Sequence, residues 1–175
     1  MSIEGAWIIE SPLHKDNRGY FREWFKSSEL KEKIGKGFEV TQANMSQSQR
    51  GVVRGVHFST SKLGQAKWVT CGAGAIWDVV VDIRPDSKTF MEWEGVELTV
   101  DNGRSVVISE GLGHAFIALE DNSMMIYALS SDYDPSQEFA INPKDAEVAI
   151  KWPLENLIFS ERDLSAPTLR DFLAF

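Results

Sequence analysis

The chain is poor in the residue types that most metal and disulfide sites need. It has one cysteine, Cys71, and three histidines, none of which forms a His-x-His pair. A single cysteine excludes an intramolecular disulfide, and imidazole ligation of a metal in a β-rich domain ordinarily needs a His-x-His pair with a nearby carboxylate. No nucleophile elbow, phosphate-cradling loop or dinucleotide fingerprint is present. We therefore expect no metal site and no nucleotide cofactor.

Positive charge and long apolar runs are also scarce. The sequence has 18 Lys and Arg against 26 Asp and Glu, a net charge of −8, and an acidic surface repels phosphate backbones and anionic lipids. No apolar run approaches the roughly 18 to 20 residues of a membrane span, and MSIEGAWIIES has neither a basic leader nor an apolar segment before a cleavage site. These features predict a cytoplasmic protein that binds neither nucleic acid nor membranes. A length of 175 residues predicts one domain, residues 1–175.

Apolar residues recur mostly with period two, which is typical of β-strands. In residues 76–83, Trp77, Val79 and Val81 occupy alternate positions, and the positions between them include Asp78 and Asp82. Both aspartates therefore face the same side of a strand. We expect them to be structural partners of nearby Arg or Lys, with a place in a site as the alternative. Strands are predicted over residues 66–71, 76–83, 90–100, 104–110, 114–119 and 123–130.

Helical spacing is confined to two short segments. One helix is predicted from Ser27 or Ser28 to Gly35 or Gly37, and a second within residues 166–175, where Pro167 suits a first turn. Many short antiparallel strands with few peripheral helices indicate an all-β, double-sheet jelly roll or a related barrel, whose interior can hold a ligand. An immunoglobulin-like sandwich is the alternative.

His57 is the first candidate for chemistry. Strict alternation along its strand would place Arg54 and His57 on opposite faces. Gly55 lies between them and favours a β-bulge, whose extra residue would turn His57 to the side of Arg54 and direct a base and a cation into one cavity. A core histidine bonded to a backbone carbonyl is the alternative.

Other polar residues have a structural and a functional interpretation. The phenol of Tyr127 lies on a predicted apolar strand face, where ordinary core packing is the alternative. Residues 41–48 are almost entirely polar, and amides at alternate positions suit recognition of a nucleobase or sugar, although a solvated edge strand would look the same. His114 ends a glycine-rich turn. Cys71 lies in an apolar strand and is predicted to be a buried structural thiol.

Taken together, several segments resemble the dTDP-4-dehydrorhamnose 3,5-epimerase family, and the resemblance covers most of the chain. The matching segments are residues 16–21 with Glu23, 42–46, 53–58, 65–67 with Cys71, 77–84, 87–90, 110–116, 127–135, 152–154, 160–163 and 166–167.

The resemblance implies a cupin-like jelly roll that works as a homodimer without a metal or other cofactor. It implies a dTDP-4-keto-6-deoxyhexose as substrate, with inversion of carbons 3 and 5 in dTDP-L-rhamnose biosynthesis. Such an enzyme removes a proton beside a ketone and returns one on the opposite face of the ring. A single-carbon epimerase of an unusual deoxysugar pathway and a non-catalytic sugar-nucleotide-binding jelly roll are the alternatives.

The resemblance also implies roles for individual residues. His57 is similar to the family's base, Tyr127 to its acid and Asp163 to the carboxylate partner of the base, while Lys67 would place a cation near the ketone oxygen. Positions implied to bind substrate are Arg18 and Arg54 at the diphosphate, and Glu23, Gln42, Asn44, His114, Tyr133, Glu138 and Arg162 around the nucleotide or sugar. The sequence departs from the family at Ala128, where a lysine is common, and near residues 141–143, where a tryptophan is common.

Overall fold

A computed structural model describes residues 1–35, 37–62 and 64–174, without the side chains of Lys33 and Ile34. Within these ranges the chain forms twelve strands and three short helices. The strands are β1 (Ala6–Glu10), β2 (His14–Asp16), β3 (Gly19–Phe21), β4 (Gln42–Ser48), β5 (Val53–Ser59), β6 (Lys67–Ala73), β7 (Ala75–Asp82), β8 (Trp93–Thr99), β9 (Arg104–Ile108), β10 (Leu112–Ala118), β11 (Ser123–Leu129) and β12 (Glu138–Ala140). The helices are α1 (Ser27–Ile34), α2 (Glu161–Leu164) and α3 (Leu169–Leu173).

Ten strands form two five-stranded sheets. Sheet I has the order β1-β9-β6-β11-β4, and sheet II has the order β12-β5-β10-β7-β8. Every pairing within them is antiparallel, and β2 pairs separately with β3. The two sheets make a cupin-like jelly roll, which confirms the predicted all-β fold class over the immunoglobulin-like alternative.

The main core lies between the two sheets. Val69 of sheet I and Ile76, Val80 and Phe116 of sheet II are buried there in one apolar cluster, together with Cys71. Burying one such aliphatic or aromatic side chain stabilises the fold by about 1.5–3 kcal/mol. The buried thiol of Cys71 confirms its predicted structural role, and burial raises its pKa to about 11.

Each sheet also has a covered outer face. Trp68 and Val107 of sheet I pack against Leu30 of α1 and against Phe38. Val79 and Val81 of sheet II pack, among others, against Ile141, Val148 and Leu169 of the C-terminal segment. Helix α1 and the C-terminal segment therefore contribute to covering the outer faces of the two sheets.

The predicted alternation of β7 is confirmed, and both of its aspartates are fully buried. Asp82 accepts hydrogen bonds from Arg84, Ser87 and Thr89. Burial alone would raise the pKa of Asp82, but these hydrogen bonds outweigh it and hold the pKa well below its usual range. Asp78 bonds to a histidine, His114, so the expectation of an Arg or Lys partner is correct for Asp82 and wrong for Asp78.

The helices differ from the predictions mainly at their ends. The first helix begins at Ser27 and ends at Ile34, with Gly35 in the left-handed conformation that stops it. The C-terminal helix is shorter than predicted, since Thr168 caps it and Pro167 therefore lies outside its first turn; Phe175 is outside the described residues. In the part of the chain that the structure describes, no helix is long and apolar enough to cross a membrane.

Candidate active site

A bulge in β5 sets the direction of His57. His57 pairs with His114 on β10, whereas Arg54 pairs with Phe116, so three steps along β5 match two along β10. Gly55 supplies the extra residue at φ 118°, and a Cβ there would lie 2.6 Å from the His114 carbonyl oxygen. Arg54 and His57 consequently share a face, as the sequence predicts.

Asp163 holds the His57 ring. The Nε2 atom of His57 lies 2.7 Å from Oδ1 of Asp163, which is buried in α2. Ser160 caps α2 by accepting the Asp163 backbone N–H at 3.0 Å, which fixes where the carboxylate projects. The His57 side chain is 37% exposed, so the alternative of a core histidine on a backbone carbonyl is wrong. With Nε2–H donated to Asp163, the lone pair of the neutral imidazole resides on Nδ1.

The Asp163 carboxylate is ionised in this setting. Burial would raise its pKa, but hydrogen bonds from His57 and Ser160, the His57 charge and the backbone N–H of Gly55 together hold the pKa below its ordinary value. An ionised partner orients the imidazole and stabilises its protonated form.

A cleft of about 450 Å³ opens beside this pair. Its lining residues are Val52, Val53, Arg54, His57, Ile158, Phe159, Ser160, Arg162 and Asp163. The Arg54 guanidinium is oriented by Ser48 Oγ at 3.1 Å and by the Gln47 carbonyl at 3.3 Å. The cleft therefore combines a base with two guanidinium groups, which suits a ligand bearing both a weakly acidic proton and phosphate.

Lys67 reaches across from sheet I. Its Nζ donates to the backbone carbonyl of His57 at 3.3 Å, and the residue is only 7% exposed. Burial lowers the pKa of Lys67 to about 8, and the charges of Glu138 and Asp78 oppose that change. The ammonium is thus held next to the backbone of the candidate base.

Tyr127 lies on sheet I, like Lys67, and faces the space between the two sheets. It pairs with Val69 and Asn44, and directly paired residues share a face. Val69 lies in the core between the sheets, and the half-buried Tyr127 packs against that core. His57 pairs with His114, and His114 pairs with Val80, which lies in the same core between the sheets. His57 therefore faces that space from sheet II, and Tyr127 faces it from sheet I.

The predicted polar residues of β4 and its neighbours also interact. Gln42 Nε2 donates to Asn44 Oδ1 at 2.9 Å, and Gln42 Oε1 accepts the backbone N–H of the exposed Tyr133 at 2.8 Å. On sheet II, Nε2 of the buried His114 lies 2.7 Å from Asp78 Oδ2. Glu138 accepts a hydrogen bond from Gln65 at 3.1 Å.

Of the thirteen predicted site residues, four line this cleft: Arg54, His57, Arg162 and Asp163. Of the other nine, two lie on exposed segments near the N-terminus. The Arg18 side chain is 85% exposed and pairs with Asp16 beside the β2–β3 turn. Glu23 is exposed and lies 4.0 Å from Lys26. The departure at Ala128 has little bearing on the site, because that residue is buried in the cluster on the outer face of sheet I.

Sequence reasoning gives three supporting residues no specific partner, although it allows Asp78 a place in a site. Asp78 is the partner of His114, Gln65 is the partner of Glu138, and Ser160 caps the N-terminus of α2. Only the last had a detectable signal, since a serine three residues before an acidic residue is typical of a helix N-terminus. In the described ranges, no group of three or more His, Cys, Asp or Glu residues is placed to hold a metal ion.

A comparison with protein families shows which family this chain belongs to. A family model described as dTDP-4-dehydrorhamnose 3,5-epimerase matches residues 1–171. The chain belongs to the dTDP-4-dehydrorhamnose 3,5-epimerase family. This confirms the resemblance seen in the sequence and makes the chain an isomerase of the epimerase type.

Individual members of the epimerase family are similar over nearly the whole chain. The dTDP-4-dehydrorhamnose 3,5-epimerase of Mycolicibacterium smegmatis is 49% identical over 172 residues, which cover 98% of this chain and 85% of that protein. NovW, a 4-keto-6-deoxy sugar epimerase from the novobiocin gene cluster of Streptomyces spheroides, has a TM-score of 0.97 at 43% identity, covering 99% of this chain and 87% of NovW.

A third member of the family inverts a single carbon. ChmJ, a 3'-monoepimerase from Streptomyces bikiniensis solved with dTDP-quinovose, has a TM-score of 0.93 at 42% identity, covering 99% of this chain and 89% of ChmJ. The family therefore includes relatives of both kinds, and the number of carbons inverted does not follow from membership.

Proposed function

We propose that this protein is an epimerase of dTDP-4-keto-6-deoxyglucose that inverts carbons 3 and 5, in dTDP-L-rhamnose biosynthesis. The observation that supports it most is the opposition of two groups: the His57–Asp163 pair on sheet II and the Tyr127 phenol on sheet I face one inter-sheet space. Residues 1–175 then form a single jelly-roll epimerase domain, which we expect to act as a homodimer without a cofactor.

In this proposal His57 is the base. The ketone at carbon 4 acidifies the hydrogens on carbons 3 and 5, and Nδ1 of His57 removes one of them as the bonding pair moves into the enolate. Asp163 stabilises the imidazolium that results, because its carboxylate already accepts the Nε2–H at 2.7 Å.

Lys67 stabilises the enolate. Negative charge develops on the ketone oxygen as the proton leaves, and a positioned ammonium in a water-poor site offsets that charge more effectively than water does. The low exposure of Lys67 and its contact with the His57 carbonyl support a place beside the reacting atoms.

Tyr127 completes the inversion. A base that returned its own proton would retain the configuration, so the new proton must come from the opposite face of the ring. The phenol of Tyr127 donates it to the carbon, and proton exchange with solvent then restores the neutral phenol and the neutral imidazole.

The remaining predicted residues bind the substrate in this proposal. Arg54 and Arg162 lie in the cleft with His57, and Arg suits bidentate contacts with phosphate oxygens. The proposed ligands are Arg18 and Arg54 for the diphosphate, and Glu23, Gln42, Asn44, His114, Tyr133, Glu138 and Arg162 for the nucleotide and sugar.

Proton NMR in deuterium oxide tests the proposal. The protein is incubated with dTDP-4-keto-6-deoxyglucose, and deuterium incorporation and ring configuration are followed at each carbon. We expect exchange and inversion at carbons 3 and 5, with both absent in His57→Ala. Deuterium at one carbon alone would indicate a single-carbon epimerase, and tight binding without exchange would indicate a non-catalytic sugar-nucleotide-binding protein.

A further inference from the structure

Two polar side chains bridge the sheets next to each other. Lys67 is the first residue of β6 and reaches the His57 carbonyl on β5. Gln65, two residues earlier, reaches Glu138 on β12, the strand beside β5, with Nε2 to Oε1 at 3.1 Å. Gln65 is itself only 7% exposed, so its carboxamide is a buried donor rather than a surface contact.

The Lys67 ammonium needs compensating negative charge in this position. A buried cation is costly unless carboxylates or hydrogen bonds offset its lost hydration. The two carboxylates that act on it are Glu138 and Asp78, and Oδ2 of Asp78 is already bonded to His114. Oδ1 of Asp78 has no hydrogen-bond partner among the described residues, so both carboxylates offset the charge of Lys67. Glu138 is the one that a neighbouring amide, that of Gln65, holds in place.

Titratable groups face Lys67 from several elements. They are Glu138 on β12, Asp78 on β7, His57 on β5, His114 on β10 and Tyr127 on β11. Strand β9 places the apolar Ile108 opposite Lys67. Among the groups that are not bonded to a histidine, Glu138 is the only carboxylate in this set, and Gln65 is the side chain that holds it.

We propose that Gln65 is a positioning residue for the epimerase reaction, whose hydrogen bond to Glu138 keeps that carboxylate beside the Lys67 ammonium. Glu138 needs such a partner because β12 has three residues and lies at the edge of sheet II. A glutamate at a short edge strand gains rotamer freedom and hydration by turning toward solvent. The link to catalysis rests on the role proposed above for Lys67.

Replacement of Gln65 tests this inference. Gln65→Met removes the donor at similar size, so Glu138 is released and the charged form of Lys67 keeps only the compensation from Asp78. We expect the titration midpoint of Lys67 to fall; a fall of about 0.7 pH unit lowers the charged fraction at pH 8 about threefold. Gln65→Asn, whose amide is too short to reach Glu138, is expected to act in the same direction and serves if the first variant folds poorly.

Two measurements report the effect. The first is the NMR titration of the Lys67 side chain in ligand-free protein, assigned by its loss in Lys67→Arg. The second is the alkaline limb of kcat/KM, whose midpoint should move to lower pH; the midpoint is compared and not the plateau, because Glu138 is also a proposed ligand. A residue with a merely structural role would lower activity at all pH values without moving either midpoint.

Gln137→Met is the matched control. The Gln137 amide also donates to a carboxylate, Asp134 at 2.9 Å, but on the loop before β12, and we expect unchanged midpoints. In a Glu138→Gln background, Gln65→Met should cause no further fall. An unchanged Lys67 midpoint in ligand-free Gln65→Met overturns the inference. A wild-type protein without epimerase activity overturns the proposed function instead, because the ligand-free titration does not depend on activity.

Discussion

Lys67 should generate the alkaline limb of the pH–activity profile. Burial lowers the pKa of Lys67 from 10.5 to about 8, and a shift of 10.5 − 8 = 2.5 pH units corresponds to about 3 kcal/mol. If the charged ammonium stabilises the enolate, kcat/KM falls as this proton leaves the free enzyme. With a midpoint near 8, about one-tenth of the plateau value remains one pH unit higher.

The assay is kcat/KM for dTDP-4-keto-6-deoxyglucose across the pH range, in wild type and two variants. A guanidinium stays protonated throughout, so Lys67→Arg should lack the limb even if its plateau is lower. Lys67→Met should lose about 10²- to 10³-fold at neutral pH, the usual effect of removing one group that stabilises an oxyanion. An unchanged limb in Lys67→Arg would refute the assignment to Lys67.

Stability gives an independent check with a definite sign. Below about pH 8 Lys67 is charged in both folded and unfolded states, and the folded state bears the penalty of burying that charge. As pH rises from about 8 through 10.5, the folded state releases the proton first, so the unfolded state binds more protons and stability increases. Lys67→Met should therefore be more stable than wild type at neutral pH in denaturant titrations, and this advantage should shrink by pH 10. A pH-independent difference would contradict the buried charge.

The other predictions concern the proposed proton-transfer residues and the proposed diphosphate ligands. Tyr127→Phe should still exchange substrate hydrogen with deuterium oxide through His57 but should not invert the carbon, and unimpaired turnover would remove Tyr127 from the acid role. Asp163→Asn should fold normally by circular dichroism and lose at least about 10²-fold in kcat, since it removes the charge that stabilises the imidazolium; near-normal kcat would show that the 2.7 Å contact is not needed. Raising the ionic strength should weaken dTDP binding measured by calorimetry, and the effect should be smaller in Arg54→Met. A wild-type dissociation constant that does not change with salt would contradict binding of the diphosphate by Arg54.

The sheet architecture was predictable because burial on each strand face leaves a period-two pattern. In β7, Val79 and Val81 pack outward while Ile76 and Val80 pack inward, which the alternation of the sequence already indicates. The bulge was predictable for a related reason. Only glycine fits at residue 55, because of its positive φ and the close approach of β10, so Gly55 inside an otherwise regular strand pattern marks the irregularity.

Contacts distant in sequence were not predictable from residue pattern alone. His57 and Asp163 are 106 residues apart, and their pairing depends on the capped turn of α2 against β5. The same holds for Lys67, whose position in a strand suggests nothing about the opposite sheet it reaches. Asp163 and Lys67 were identified only through the family resemblance. Hydrophobic periodicity shows which face of a helix or strand is buried, but it does not show which other element covers that face.

The partners of buried polar groups were the least accessible to sequence reasoning. Asp78 and Asp82 occupy equivalent positions in the alternation of β7, yet one bonds to His114 and the other to Arg84, Ser87 and Thr89. Their difference arises from the neighbouring strand in one case and from the following loop in the other. Local pattern does not distinguish these two sources of hydrogen-bond donors.

A crystal structure of the protein with a bound dTDP-hexose would show on which faces of the sugar ring the two proposed proton-transfer groups lie. We expect the His57 imidazole and the Tyr127 phenol on opposite faces of the ring, each within about 3–4 Å of a carbon adjacent to carbon 4. Both groups on one face of the ring, or either group out of reach of those carbons, would contradict this expectation.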